Sequence, residues 1–443
     1  MKKRNVMKIK SFSLVVATVL LIPISCAKVE LDPAAQTGSP IHYTVGAYVQ
    51  TKNYASPDEG GLVKELKDLG VAANALTFKT SAWLHTATAS DSDAYGKQDF
   101  MDAVNVTYNN ASPFAWQPDR DYFWPKASTS YVNFLSWYDY KAQTPTISYT
   151  KVDTNADSTP DTWQAGISWT NREVYPKDDI LYADVAWRFN GNPTSSENNT
   201  NEASALAGTG TSFGKDGVTE GVPTLFHHAL AQVLFKANVE RTYEAESRLD
   251  SNPDNIGTYW EVTLGTITLS SKVKKTGTLT LAQTDKGSKG IKAFTLPTNS
   301  IWTPGSVYSG LPTASDYASF TLSYASVLTT TAVAIMDGGM PDGFQAVMPQ
   351  AVGDDITITI TYTIDTYYGT EAQCTGGSKA TYKKTTETVT TSAIQLNDIT
   401  SAPQYWQMNK KYTYTLTIDP KSSLIKFDPA VDTWTSENVT YEM

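Results

Sequence analysis

The run Asp354–Thr366, D-D-I-T-I-T-I-T-Y-T-I-D-T, places Ile356, Ile358, Ile360, Tyr362 and Ile364 at every second position. Successive side chains of a strand point to opposite faces, so this pattern makes a strand with an apolar inner face and a threonine outer face. The helical period would scatter the same isoleucines around the axis. Alternation of this kind returns at Tyr259–Ser270, Gly277–Gln283, Tyr382–Thr391 and Tyr412–Ile418. Charged residues are only 18% of the chain, and threonine is abundant, which suits pleated, half-buried surfaces. These spacings predict an all-β chain of antiparallel Greek-key β-sandwiches with minor short helices. At 443 residues the chain exceeds what one core usually fills, so two domains are expected. The stretch Thr224–Val239 reads as their seam and the Asn/Ser/Gly/Thr-rich Gly191–Gly221 as a linker, giving domains at 26–215 and 216–443.

Residues 1–25 stand apart. Lys2, Lys3, Arg4, Lys8 and Lys10 precede an apolar run, Ser11–Ile24, of the length of an export signal and too short for a spanning helix. The run ends Ile24-Ser25-Cys26, which resembles a bacterial lipobox although Pro23 stands where leucine is preferred. Cys26 is thus the expected lipidation site and anchor to the outer membrane. Cleavage before it removes five positive charges and no acids, taking the formal net charge from −10 to about −15. Such acidity argues against nucleic acid or anionic lipid as a partner. The other cysteine is Cys374, so no disulfide within the mature chain is expected.

Cys26–Ser39 reads as a tether. Ile41–Gln50 is a first strand with Ile41, Tyr43, Val45 and Ala47 on one face, followed by a loop, Thr51–Gly61. Leu62, Val63, Leu66 and Leu69 recur at helical spacing before Gly70, predicting one short amphipathic helix. Aromatics crowd Trp116–Tyr140. Trp116, Trp124 and Trp137 could form a glycan-stacking platform, or these rings could fill a sandwich core, as alternate aromatics of strands do. Asp153, Asn155, Asp157 and Asp161 place oxygens at positions 1, 3, 5 and 9 of a turn, the cadence of a calcium loop. Ser158 and Gln164 replace the glycine and the glutamate such a loop uses.

Little points to catalysis. His42, His85, His227 and His228 make no metal-ligand spacing, and His227 and His228 read as one packed and one exposed histidine. Cys374 lacks the local signature of a catalytic thiol. Gly210-Thr-Ser212-Phe-Gly214 spells a nucleophile elbow without the strand and helix that motif requires. The chain reads as no enzyme, with no resident cofactor beyond the candidate calcium.

Several segments taken together resemble the fimbrillins, pilin-like surface lipoproteins of Bacteroidota. They are Tyr122-Phe123-Trp124-Pro125 before an aromatic strand, Asp179-Ile180-Leu181-Tyr182-Ala183, and Phe226-His227-His228-Ala229-Leu230. Further along come Pro349-Gln350, Tyr412-Thr413-Tyr414-Thr415-Leu416, and Phe427–Val431 with Trp434. The resemblance implies transthyretin-like domains, a place in a cell-surface fimbria, and assembly with other subunits by β-strand exchange. It implies that a protease releases the first strand, here Ile41–Gln50, and that a partner's strand takes its place. The family's processing protease cuts after arginine, and the first arginine of the mature chain is Arg120. Either a cut in the Thr51–Gly61 loop uses Lys52, or the subunit keeps its first strand and its lipid as an anchor or accessory. A fimbrial subunit could further hold a ligand on a host or bacterial surface. The other function compatible with the residues is a monomeric glycan-binding surface lipoprotein.

Overall fold

The computed structural model describes residues 40–47, 62–72, 75–85, 98–109, 116–125, 130–157, 162–189, 221–246, 256–269, 273–285, 290–305, 321–323, 326–335, 344–353, 356–396 and 403–433. The chain is nearly all β. Strands β1 (Tyr43–Ala47), β2 (Thr77–His85), β3 (Gln98–Tyr108), β4 (Trp116–Pro118) and β5 (Tyr131–Asp139) come first. They are followed by β6 (Thr146–Val152), β7 (Thr162–Glu173), β8 (Ile180–Ala183), β9 (Val185–Phe189), β10 (Val222–His228) and β11 (Ala231–Val239).

The first sheet closes on itself. Its order runs β5-β2-β3-β4-β1-β10-β8, and β8 pairs back onto β5 through Trp137–Asp139 and Ile180–Tyr182. Most neighbours are antiparallel, but β1 lies parallel to β10. The expected helix, α1 (Leu62–Asp68), buries Leu62, Val63 and Leu66 in this core, joined by Leu69 just after its end. Its end follows from Gly70 at φ +81°: the Gly70 and Val71 amides donate to Lys67 O and Leu66 O, a Schellman closure in which a side chain would be strained.

The second half contributes β12 (Ile256–Leu269), β13 (Thr276–Thr284), β14 (Thr357–Thr370), β15 (Lys383–Thr390), β16 (Lys410–Asp419) and β17 (Leu424–Thr433). β14 sits between β12 and β15, and β11 runs parallel to β16, which pairs antiparallel with β17. Ile358, Ile360, Tyr362 and Ile364 of β14 meet Val233 and Phe235 of β11 and Tyr414 and Leu416 of β16 in a second core. The stretch read as a seam carries β10 in the first core and β11 in the second. At the turn between them, Trp302 Nε1 donates to Ala229 O at 2.8 Å and the Asn409 amide to Leu230 O at 3.0 Å. The cores are interleaved in sequence. β13 returns from the second half to pair with β7, and Leu279, Leu281 and Trp302 belong to the first core.

Candidate strand-exchange site

β1 occupies one slot of the closed sheet. Tyr43–Ala47 register with Val222–Phe226 of β10, while Tyr43 faces Trp116 of β4. Just upstream, the Ile41 amide donates to Tyr122 O and the Val222 amide to His42 O, each at 2.7 Å. The entry to the strand is buried without alternation, His42 being 3% exposed like its neighbours. Ile41 is 2% and Tyr43 3% exposed, and Val45 is half-buried. The Ala47 backbone pairs with Phe226.

Tyr43 is the deepest plug. Its ring meets the edges of Phe78 and Phe134 at 5.6 and 5.9 Å between centroids. Its hydroxyl lies 3.4 Å from both Thr80 Oγ1 and Met101 Sδ. Burial pushes the phenol well above its usual value, so it stays neutral at physiological pH. Phe78 also packs on Trp116 and Phe226, at 5.3 and 5.2 Å, which puts both neighbouring strands into the pocket wall. The alternating plug is visible in the sequence; this wall is not. Phe78, Thr80 and Met101 sit on β2 and β3, strands without clean alternation.

The other sequence candidates are dispersed. Trp116, Trp124 and Trp137 are 2%, 4% and 2% exposed and belong to the first core. A sugar-stacking ring needs a face in water, and these have none. Asp153 and Asn155 cap their own turn: Asp153 Oδ1 accepts the amides of Asn155 and Ala156, and Asn155 Oδ1 that of Asp157. Asp161 lies outside the described residues, and among the described residues no three His, Cys, Asp or Glu side chains gather as metal ligands. Cys26, Lys52 and the Gly210–Gly214 motif also lie outside the described residues. Cys374 is buried in the short helix Glu371–Thr375 that follows β14, and burial pushes its thiol up, away from the reactive thiolate.

His85, His227 and His228 have local roles in packing, and His42 is buried at 3% exposure. His85 Nε2 is 2.7 Å from the Tyr149 hydroxyl, in an aromatic column where Tyr149 stacks between Trp83 and Trp163 at 4.3 and 5.0 Å. His228 Nδ1 lies 2.9 Å from Asp179 inside the core. The expectation of one packed and one exposed histidine needs adjusting. His227 is only 14% exposed in its side chain, 3.0 Å from Asp184 and stacked on Tyr182. One buried ionic group went unread in the sequence. Arg172 bridges Asp139 and Asp178 with four bonds of 2.8–3.0 Å, tying the ends of β5 and β7 to the segment before β8. Burial raises the Asp178 carboxyl to about 7, against the pull of the guanidinium.

No protein-family model matches the sequence, and no curated protein matches it. Solved structures do. A fimbrial protein from Bacteroides vulgatus is similar over 90% of this chain and 100% of its own, with 14% identity and a TM-score of 0.42. A fimbrilin from Porphyromonas gingivalis is similar over 90% of this chain and 98% of its own, with 10% identity and a TM-score of 0.28. These likenesses run the length of the chain and assign no residue a role.

Proposed function

We propose that this chain is a structural or adhesive subunit of a cell-surface fimbria, exported as a lipoprotein on Cys26 and joined to its neighbours by exchange of β1. In this reading its two cores, interleaved in sequence, belong to two transthyretin-like Greek-key sandwiches. The observation that carries it is the place of β1 in both sheet and chain. β1 is enclosed between β4 and β10, yet nothing of the closed sheet precedes it in sequence among the described residues. A single backbone cut after it, at Lys52, would free it; every other strand of the ring would need two cuts. The vacated slot would expose unpaired ladder groups of β10 beside the Tyr43 pocket, the combination that recognises an added strand.

The sequence contains a matching occupant. Val439-Thr440-Tyr441-Glu442-Met443 repeats the apolar-x-Tyr-x-apolar pattern of Ile41-His42-Tyr43-Thr44-Val45. Because that pattern reads the same in both directions, it suits either strand polarity. The burial of Trp116, Trp124 and Trp137 weighs the choice toward assembly and away from a glycan platform.

The test is an immunoblot of the outer-membrane fraction, with and without boiling before electrophoresis. Subunits completed by a neighbour's strand resist cold detergent, so a ladder that collapses on heating is expected, and it should be absent in Lys52→Ala. A single band at the mature monomer mass in both lanes would overturn the proposal.

A further inference from the structure

The outward face of the β12–β14–β15 sheet consists of threonines in register. Thr266, Thr361 and Thr390 make one transverse row, and Thr263, Thr363 and Thr388 the next. A bulge at Gly265 keeps both β12 threonines on this face: the register steps between Leu264 and Thr266, so Leu264 and Ile267 still point into the core. A side chain at Gly265 would come within 3.0 Å of Thr361 O.

Three properties set this face apart. First, hydroxyls within it already have partners. Thr361 Oγ1 lies 3.2 Å from Thr390 Oγ1, and Thr363 Oγ1 lies 3.3 Å from Thr388 Oγ1. Removing water from a satisfied hydroxyl costs far less than removing it from an open one, and the γ-methyls gain from burial. Second, the rows carry no charge in a chain whose formal net charge is −10. Third, the acids that border the rows are neutralised: Glu261 by Lys379 at 2.6 Å and Asp365 by Lys383 at 2.8 Å. An uncharged centre with part of its hydroxyls paired, bordered by neutralised acids, shares the depletion of charge found at the core of protein interfaces.

We propose that this threonine face docks face to face with the same face of a second copy, holding neighbouring fimbriae side by side. Charge selects the occupant. Two copies of an acidic chain repel wherever their acids meet, and this patch offers them a neutral, self-complementary approach. The size sets the strength. Roughly three strands at about 4.8 Å, and eight residues at about 3.3 Å, give on the order of 400 Å² per copy. That is about half of what a stable pair of proteins buries, roughly 800 Å² per partner. Isolated subunits therefore associate weakly, while a polymer presenting the face repeatedly associates with avidity. The side-by-side role rests on the fimbrial reading; the contact between copies does not.

The test is cysteine cross-linking of the full-length protein on cells. Thr359→Cys, Thr363→Cys and Thr388→Cys are made singly, with Lys421→Cys, exposed elsewhere, as the control. The expected result is a disulfide-linked dimer, several-fold above the control, at one or more face positions. It disappears when Thr361→Lys is added, while the heat-sensitive ladder persists. Dimer no greater than the control at all three positions, or dimer unaffected by Thr361→Lys, overturns the proposal. Dimer without any heat-sensitive ladder leaves this contact standing and sinks strand exchange.

Discussion

Truncating Tyr43 tests whether β1 is held chiefly by its plug. In Tyr43→Ala the ring leaves a site that is 3% exposed and walled by Phe78, Phe134 and Met101. Emptying a large aromatic site costs roughly 3–5 kcal/mol, the sum of lost transfer energy and residual cavity. Tyr43→Phe keeps the ring and loses only contacts of 3.4 Å. Such long hydrogen bonds are weak, so that change costs about 1 kcal/mol or less. Urea unfolding of the full-length chain, followed by tryptophan fluorescence, reads both values as shifts in midpoint at constant slope. If β1 is the exchanged strand, Tyr43→Ala also speeds its release, and the heat-sensitive ladder forms faster than in Tyr43→Phe. A Tyr43→Ala loss of about 1 kcal/mol or less would mean that the pocket relaxes around the missing ring. Anchoring of β1 would then lie in its ladder with β10, and the reasoning from side-chain insertion would fail.

Two further predictions concern the buried ions. Arg172→Met leaves the carboxylates of Asp139 and Asp178 without their shared guanidinium and should cost about 3–5 kcal/mol; an unchanged urea midpoint would show that the bridge does not stabilise the fold. Asp178 titrates near 7 when folded, against 3.8 as its ordinary value, chiefly because burial disfavours its charge. The folded state therefore binds the extra proton between those values. Its contribution to stability is full below about pH 4 and is lost as pH rises through about 7. Measured at pH 5 and pH 8, the parent should lose more stability across the interval than Asp178→Asn; equal losses would contradict the assignment.

Legibility in the sequence followed how each strand is buried. β12, β14 and β16 cover one core with one face, so their alternation survived intact and their positions were readable. α1 was readable because Leu62, Val63, Leu66 and Leu69 share one helical stripe and Gly70 ends it. β2 was not. Thr80–Trp83 are buried in succession, and the β2–β3 register shifts around Ala82, with Ala103 of β3 at φ +49°. β10 is likewise buried through Val222–Phe226, and a strand covered on both faces loses its period-two signature. The parallel pairings joined Tyr43 to Val222 and Ala231 to Lys410, separations at which no local pattern reports. For the candidate site, the plug residues were legible because they alternate. The wall was not, because it is assembled from β2, β3 and β5.

Closure of the first sheet explains how such a molecule could lose a strand and stay folded. Taking an inner strand out of an open sheet leaves two sheets, each with a new unpaired edge and no ladder between them. In the ring of β5, β2, β3, β4, β1, β10 and β8, removing β1 leaves one continuous sheet. β4 remains held through β3, and β10 through β8 and on to β5. Two edges then face each other across one missing strand, roughly 9–10 Å apart at ordinary strand spacing. β10 stays fixed at its far end because the chain continues through Ala229–Leu230 into β11, whose nine residues pair with β16 in the second core. The second core uses no residue of β1. The gap would thus be framed by elements anchored elsewhere; under the strand-exchange proposal it would keep its shape for an incoming strand, at a cost limited to what β1 itself contributes.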